Sequence, residues 1–376
     1  METLRKGVAQ LLSSNGVSVI RGTASFEHRN RLVVNTDEGS AAHSVTAEKI
    51  IIATGAGPHT LSGFPQHDRI LNSRSFLDLR KLPSSAMVVG GGVIGCEFAC
   101  LLAQFGVKVT LVEVSDDILI ELDDDVRREL RRHLEKSLGI RVLAGTIIED
   151  VVAGPDEVRV RSGDESLLTD LLIDATRRKP VSSVLQLKKA QLETGPKGCI
   201  PVDEYGQTQV ASIYAIGDVT GGPQLAHAAT SQGLTVAENA CLRSHRRIDD
   251  LIPCCIFTNP EIGTVGLTEA EAKRQGREIK TGKFRFAALG RALSLGEGSG
   301  FAKWIADPGT GQLLGAAVVG PKATELIAEA ALAIKAELTA EELVRTIHAH
   351  PTLAEVWFES ASSLVGRPLH LAPRKG

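Results

Sequence analysis

The chain has 376 residues, 43% of them hydrophobic and 23% charged, with a formal net charge of -3. That is ordinary globular composition, long enough for two or three domains. A charge so near neutral gives no footing for nucleic acid or an anionic membrane surface, and no apolar run reaches the length of a membrane-spanning helix.

The opening residues put Leu4, Val8, Leu11 and Leu12 on one stripe of an amphipathic helix. They lack the unbroken apolar core and small-residue cleavage site of an export signal, which points to a reducing, cytoplasmic setting. The cysteines agree. Cys96, Cys100, Cys199, Cys241, Cys254 and Cys255 show neither a disulfide framework nor paired zinc spacing. Cys96 and Cys100, four apart, share a helix face and read as core packing. Cys254 and Cys255 are neighbours in a strand-like run, so their side chains point to opposite faces.

Residues 17–20, 31–34 and 49–53 read as strands between polar turns, the third running into Ala53-Thr54-Gly55-Ala56-Gly57-Pro58. After a connector to about Pro83 comes a compact unit: a strand over 85–89, a glycine turn, a helix over 95–105 and a strand over 107–113. A helix over 126–138 carries Arg127, Arg128, Arg131 and Arg132 on a face expected to be solvated. Several strands follow, the last over 171–174. Residues 213–216 form a strand ending in Gly217-Asp218, and a helix then runs to roughly Leu242. From Ile252 the pattern changes to longer strands over 280–287, 300–306 and 313–319, and then to helices over 324–335 and 340–346.

Gly90-Gly91-Gly92-Val93-Ile94-Gly95 is G-x-G-x-x-G, set between a strand and a helix, and Glu113 ends the next strand. Alone the glycine pattern is weak; in this context it is a complete dinucleotide fingerprint. The glycines let backbone approach a pyrophosphate, whose charge the helix N-terminus stabilises. A carboxylate at Glu113 accepts from ribose hydroxyls and repels a 2′-phosphate, which favours NAD over NADP. Ala53-Thr54-Gly55 and Ile216-Gly217-Asp218 put small residues at strand ends, where a ligand can lie against backbone; taken singly they read equally well as ordinary turns.

His348-Ala349-His350-Pro351-Thr352-Leu353-Ala354-Glu355 is the most specific stretch. A histidine held by a carboxylate five residues later serves as a general base near neutral pH, with Glu355 orienting the ring. The competing readings are a surface histidine with no task and an H-x-H metal site. The latter lacks a third ligand, so no metal is expected.

The order Ala-Thr-Gly, G-x-G-x-x-G with Glu97 just inside the helix, Arg178-x-Pro180, then Ala-Ile-Gly-Asp resembles the flavoprotein disulfide reductases with two dinucleotide folds. The His350-Pro351 segment resembles the dihydrolipoamide dehydrogenases within that pyridine nucleotide-disulfide oxidoreductase family. The resemblance implies an α/β fold of four stretches. These are part of an FAD domain with its connector (1–82), a complete NAD domain (83–180), a return segment of the FAD domain (181–251) and an α+β dimerisation domain (252–376).

It implies FAD at Asp218 through its ribityl chain, at Gln224, Leu225, Ala226 and His227 beside the flavin ring, and at Thr54, Gly55, Ala56 and Ala24. It implies NAD at Gly90, Gly91, Gly92, Val93, Ile94, Gly95, Cys96, Glu97, Glu113, Ile148 and Arg177. His350 would be the base that takes a dihydrolipoamide thiol proton, Glu355 its partner, and the histidine would serve the disulfide of the other subunit of a homodimer. Electrons would pass from dihydrolipoamide through a disulfide and FAD to NAD, in the service of lipoyl-bearing proteins of 2-oxoacid dehydrogenase or glycine cleavage complexes.

The sequence departs from the family pattern in four places. A first G-x-G-x-x-G and a C-x-x-x-x-C pair do not occur in these 376 residues, so an N-terminally shortened chain is expected, and a non-catalytic NAD-binding and dimerisation module stands as the alternative reading. The lysine that pairs with the Glu97 position is also absent. Arg177 stands where the family has glycine beside NAD, and Gln224 replaces an apolar residue.

Overall fold

The computed structural model describes residues 2–36, 42–242 and 244–370. The chain divides into two compact units: Met1–Gly57 with Arg178–Asp249, and Pro58–Arg177 with Asp250–Gly376.

The second unit holds a five-stranded, all-parallel sheet in the order Ile70–Asn72, Leu171–Asp174, Ser85–Val89, Lys108–Val112, Arg141–Leu143. Its central strands read as nearly continuous apolar runs because both faces are covered. Val88, Leu111 and Ile173 are fully buried, with Cys96, Ala99 and Leu102 of the helix Val93–Gln104 and Leu130 and Leu134 of the helix Asp124–Lys136 packed on the same core. Strand order reverses beside Ser85–Val89. In an open α/β sheet that switch point, at the carboxyl ends of the strands, is where ligands bind. A three-stranded antiparallel sheet over Asp150–Ala153, Val158–Ser162 and Glu165–Thr169 is inserted before the last parallel strand.

The same unit contains a five-stranded antiparallel sheet in the order Cys254–Ile256, Glu261–Gly266, Leu313–Gly320, Phe301–Ala306, Lys280–Arg285. Helices Ala323–Lys335, Ala340–Arg345 and Glu355–Leu364 complete it. Its core is built around Trp304 and Trp357, whose rings lie 4.7 Å apart. Each indole is satisfied: Trp304 Nε1 donates to Trp357 O at 3.1 Å, and Trp357 Nε1 to Leu326 O at 3.0 Å. A buried indole needs such a partner, and here the partners also tie helix Glu355–Leu364 to helix Ala323–Lys335.

The most deeply buried charge of this unit among the described residues is a cation. Lys303, 1% exposed, donates to Asp123 (2.8 Å), Asp125 (2.8 Å) and Glu269 (2.6 Å). Burial alone would depress its pKa, but the three carboxylates outweigh that and raise it to about 12. The cluster fastens the start of helix Asp124–Lys136 to the antiparallel sheet. That helix's arginines are not simply a solvated face: Arg127 and Arg131 reach Asp117 at 3.0 and 2.9 Å. They have a partner because the preceding loop folds back over the helix.

The first unit is built from smaller pieces. Thr23–His28, Arg31–Asn35 and His43–Thr46 form an antiparallel sheet, and Ile50–Ile52 pairs in parallel with Ile213–Ala215. Phe26, Ile50, Ile52, Leu187, Ile200 and Ile213 make its core. Helix Glu2–Ser14 forms as its periodicity predicts but buries none of its residues; Leu4 is 71% exposed. Residues 17–20 are not a strand. Val17, Val19 and Ile20 are exposed and unpaired with any strand among the described residues, and the strand begins at Thr23 instead. Alternating β-branched residues make a strand only when a neighbour accepts their backbone bonds.

Candidate active site and dinucleotide cleft

The glycine turn sits at the switch point. Gly90 has φ +107°, and a Cβ on Gly95 would lie 1.7 Å from Gly90 O, so the helix packs on the strand only with glycine there. Gly91 is crowded by the Glu113 side chain, whereas a Cβ on Gly92 would meet open space. Gly92 caps the helix Val93–Gln104 with no side-chain bond, leaving its first N–H groups available.

These residues open on a cavity of about 670 Å³ lined by Gly90, Gly91, Gly92, Val93, Glu113, Ile148 and Arg177, among others. Ile94 is half-buried and Gly95 and Cys96 are buried behind this wall. Burial pushes the Cys96 thiol well up, and the thiol donates to Gly91 O, so Cys96 supports the turn and is no nucleophile. Glu113 accepts from Gly91 N at 2.5 Å and Ser115 N at 2.7 Å. That fixes the carboxylate at the cavity edge with lone pairs remaining. Glu97 stands apart from the cavity wall: its Oε1 accepts the Phe257 N–H at 2.9 Å, and burial raises its pKa against that bond. The uncapped helix N-terminus, the open space at Gly92 and the acceptor at Glu113 fit a pyridine dinucleotide.

In the first unit, the strand Ile50–Ile52 leads into Thr54, Gly55 and Ala56, and Ile213–Ala215 leads into Gly217 and Asp218. Because these two strands pair, their ends lie side by side. Thr54 Oγ1 donates to Val181 O at 2.6 Å; Arg178 Nη2 donates to Ala56 O at 2.5 Å and stands 3.6 Å from Asp218 Oδ2. Gly55 has φ +71° and faces open space, and Gly217 has φ +69° with its N–H donating to Gln232 Oε1 at 2.7 Å. A left-handed Gly55 facing open space, on a strand end beside the one that carries Asp218, suits a ligand laid along the backbone. Gln224, Leu225, Ala226 and His227 lead into helix Ala226–Leu242, all exposed except the half-buried Leu225. Ala24 lies in the other sheet of this unit, paired with Val34.

The third cluster lies at the start of helix Glu355–Leu364. His350 Nδ1 is 2.8 Å from Glu355 Oε1, and Glu355 Oε2 accepts the Thr352 N–H at 2.8 Å. Burial would raise the Glu355 carboxyl, but the Thr352 N–H and the His350 imidazole outweigh it and hold it below the usual range. An ionised Glu355 takes the hydrogen on Nδ1 and leaves the Nε2 lone pair of the neutral ring free. With the imidazole 77% exposed, an outside group can reach that nitrogen. All six cysteines are free thiols.

Residues 1–233 match the pyridine nucleotide-disulphide oxidoreductase family, and residues 252–361 match the dimerisation domain of the same family. The chain belongs to the pyridine nucleotide-disulphide oxidoreductases. Members of this oxidoreductase family use FAD and NAD(H). The chain is 39% identical over 376 residues to dihydrolipoyl dehydrogenase of Chlamydia pneumoniae, and 39% identical over 381 residues to that of Halobacterium salinarum. In both cases the alignment spans all of this chain and 80% of the relative.

Among solved structures, the oxidoreductase superposes on LpdA from Mycobacterium tuberculosis with a TM-score of 0.89 at 29% identity, covering 96% of this chain and 80% of that one. It matches the HOCl-induced flavoprotein disulfide reductase RclA from Escherichia coli with a TM-score of 0.89 at 28% identity, covering 96% and 83%. The oxidoreductase thus has the α/β fold of the flavoprotein disulfide reductases, and no helix among its described residues is long and apolar enough to cross a membrane.

Sequence reasoning passed over three features. His348 has a carboxylate of its own, Glu329, which lies nineteen residues upstream and so gives no local signal. Arg178 bridges Ala56 and Asp218 although 122 residues separate it from the first. Lys303 did leave a trace, as a charge inside the apolar run Phe301-Ala302-Lys303-Trp304-Ile305-Ala306.

Proposed function

We propose that this chain carries dihydrolipoyl dehydrogenase activity: oxidation of a dihydrolipoyl dithiol, with NAD as the final acceptor. The observation that carries the proposal is the His350–Glu355 pair at 2.8 Å, with the second carboxylate oxygen pinned by the Thr352 N–H. In this reading the free Nε2 of His350 takes the proton of the substrate thiol, and Glu355 stabilises the imidazolium that results. The relatives named above are dihydrolipoyl dehydrogenases at 39% identity over the whole chain, which favours this enzyme over a non-catalytic module.

When bound, FAD and NAD would supply the later electron-accepting chemistry, and the disulfide that first takes the thiol's electrons would be supplied from outside these 376 residues, whose six cysteines are free thiols with no C-x-x-x-x-C pair. The dinucleotide is assigned to Gly90, Gly91, Gly92, Val93, Ile94, Gly95, Cys96, Glu97, Glu113, Ile148 and Arg177. In that set Gly91 and Gly92 supply open backbone, and Gly95 and Cys96 hold the turn behind it. Glu113 favours NAD over NADP, and Arg177 replaces a glycine with a cation near the phosphates. The flavin is assigned to Ala24, Thr54, Gly55, Ala56, Asp218, Gln224, Leu225, Ala226 and His227. The corresponding domains are 1–82 for part of the FAD domain and its connector, 83–180 for NAD, 181–251 for the return of the FAD domain and 252–376 for dimerisation, with the connector strand Ile70–Asn72 pairing in the sheet of the NAD domain.

The proposed partners are a second copy of the chain and lipoyl-bearing proteins of 2-oxoacid dehydrogenase or glycine cleavage complexes, in a cytoplasmic setting. The test is His350→Gln. A general base contributes about 10²–10⁴-fold, so dihydrolipoamide-dependent NADH formation should fall by that order while NADH affinity stays unchanged. Full turnover in this variant would overturn the proposal.

A further inference from the structure

His350 is not the only histidine of its segment with a carboxylate partner. His348, two residues earlier, has a side chain 8% exposed. Its Nε2 is 2.7 Å from Glu329 Oε1 and its Nδ1 is 3.1 Å from Thr346 O. A carboxylate and a carbonyl are acceptors only. Both ring nitrogens must therefore carry hydrogen for both bonds to exist, and the geometry calls for an imidazolium. The charged groups that face it are Glu329 from helix Ala323–Lys335 and Glu355 from helix Glu355–Leu364. The hydrogen bond to Glu329 raises the His348 pKa above the ordinary imidazole value, against the effect of burial.

The scaffold behind this pair is itself cross-linked. Helix Ala323–Lys335, which carries Glu329, receives the Trp357 indole at Leu326 O, and Trp357 lies two residues after Glu355. The segment bearing His350 is thus gripped on both sides: at His348 by Glu329, and at His350 and Thr352 by Glu355. Between these grips Ile347 and Ala349 are exposed, and the Thr352 hydroxyl closes the turn onto Ala349 O at 2.7 Å. Without the first grip, the side-chain anchors left to residues 346–350 are the Thr346 hydroxyl on Glu342 O at 3.0 Å and the His350–Glu355 pair itself, with none between them.

We propose that His348, through its ion pair with Glu329, is a positioning residue for His350. It fixes the backbone from which the base projects, so that His350 meets Glu355 through Nδ1 and presents Nε2. His348 touches no substrate in this assignment. The inference rests on the dehydrogenase reading for its effect on turnover, but not for its effect on His350 itself.

The test uses the full chain with ¹⁵N-labelled histidine, followed by imidazole NMR across pH, together with dihydrolipoamide turnover. In the unaltered protein His348 should show two protonated nitrogens at neutral pH, and neutral His350 the single Nδ1–H tautomer. Glu329→Gln is nearly isosteric and keeps the fold; His348→Asn is the more severe variant, with NADH affinity reporting that it has folded. In both, His350 should become a mixture of tautomers. The turnover number should fall about 10–100-fold, the scale of a small misplacement of a reacting group, with the KM for NAD unchanged.

Glu329→Gln should also move the loss of the second His348 proton to lower pH. A single unchanged His350 tautomer in both variants would overturn the proposal whatever the turnover. His350→Gln separates the two readings. If it removes turnover while the His348 and Glu329 variants do not, only this inference fails. If it leaves turnover intact, the dehydrogenase assignment fails, and the NMR still decides whether His348 positions its neighbour.

Discussion

The two units carry equally readable motifs on unequal supports. In Pro58–Arg177 with Asp250–Gly376, the glycine turn lines a cavity of about 670 Å³, behind it lie fully buried strands, and a buried lysine is satisfied by three carboxylates. In Met1–Gly57 with Arg178–Asp249, the Ala-Thr-Gly and Gly-Asp strand ends meet on a two-stranded pair, and an entire helix buries nothing. A motif marks where a ligand goes; the tertiary packing around it decides how firmly the chain holds that place. The contrast predicts large mutational costs in one unit and small ones in the other.

The largest effect should come from Lys303→Met. Removing the ammonium leaves Asp123, Asp125 and Glu269 facing one another around a buried site, a loss of about 3–5 kcal/mol for a broken buried pair, read by denaturant unfolding. The same network has a pH signature. Because the folded pKa of Lys303 is raised from 10.5 to about 12, its contribution is complete below 10.5 and lost as pH rises through 12. The unaltered protein should therefore destabilise across that interval in a way Lys303→Met does not. If the two proteins respond alike to alkali, the network is not what joins that helix to the sheet.

Gly95→Ala comes next. Its Cβ would overlap Gly90 O, so the helix must move off the strand at a cost of about 1–3 kcal/mol from overpacking, and NADH binding should weaken with it. Normal affinity in titration calorimetry would mean that the close helix–strand contact does not shape the cleft.

Glu113→Ala is smaller. Loss of hydrogen bonds from a charged acceptor, about 1.5–3 kcal/mol each at most, should reduce NADH affinity roughly tenfold or more and narrow the preference over NADPH. An unchanged ratio of the two affinities would remove Glu113 from cofactor selection.

The smallest effect belongs to the other unit. Leu11→Ala truncates a side chain on a helix with no buried residue, so the stability change should stay within about 0.5 kcal/mol, as for surface sites generally. A loss of 2 kcal/mol or more, the cost of a core leucine, would show that this helix packs against something in solution and would break the comparison.

Local chemistry was legible without coordinates. The strand–glycine turn–helix–strand unit, the acidic residue that ends it, and a histidine followed by its carboxylate at five residues are short-range patterns, and each depends on atoms a few residues apart. Gly95 must be glycine because of a carbonyl five residues back, and Glu355 reaches His350 across a single turn. The strand expected at 17–20 shows the limit of such reasoning, since β-branched residues announce a preference and not a partner.

What tertiary structure alone decided is the pairing of distant groups. Glu329 with His348, Arg178 with Ala56 and Asp218, and Lys303 with Asp123, Asp125 and Glu269 join residues separated by 19 to 180 positions. No periodicity encodes those separations. A buried charge must find its counter-charge wherever folding brings one, and only the packed chain determines which carboxylate that is.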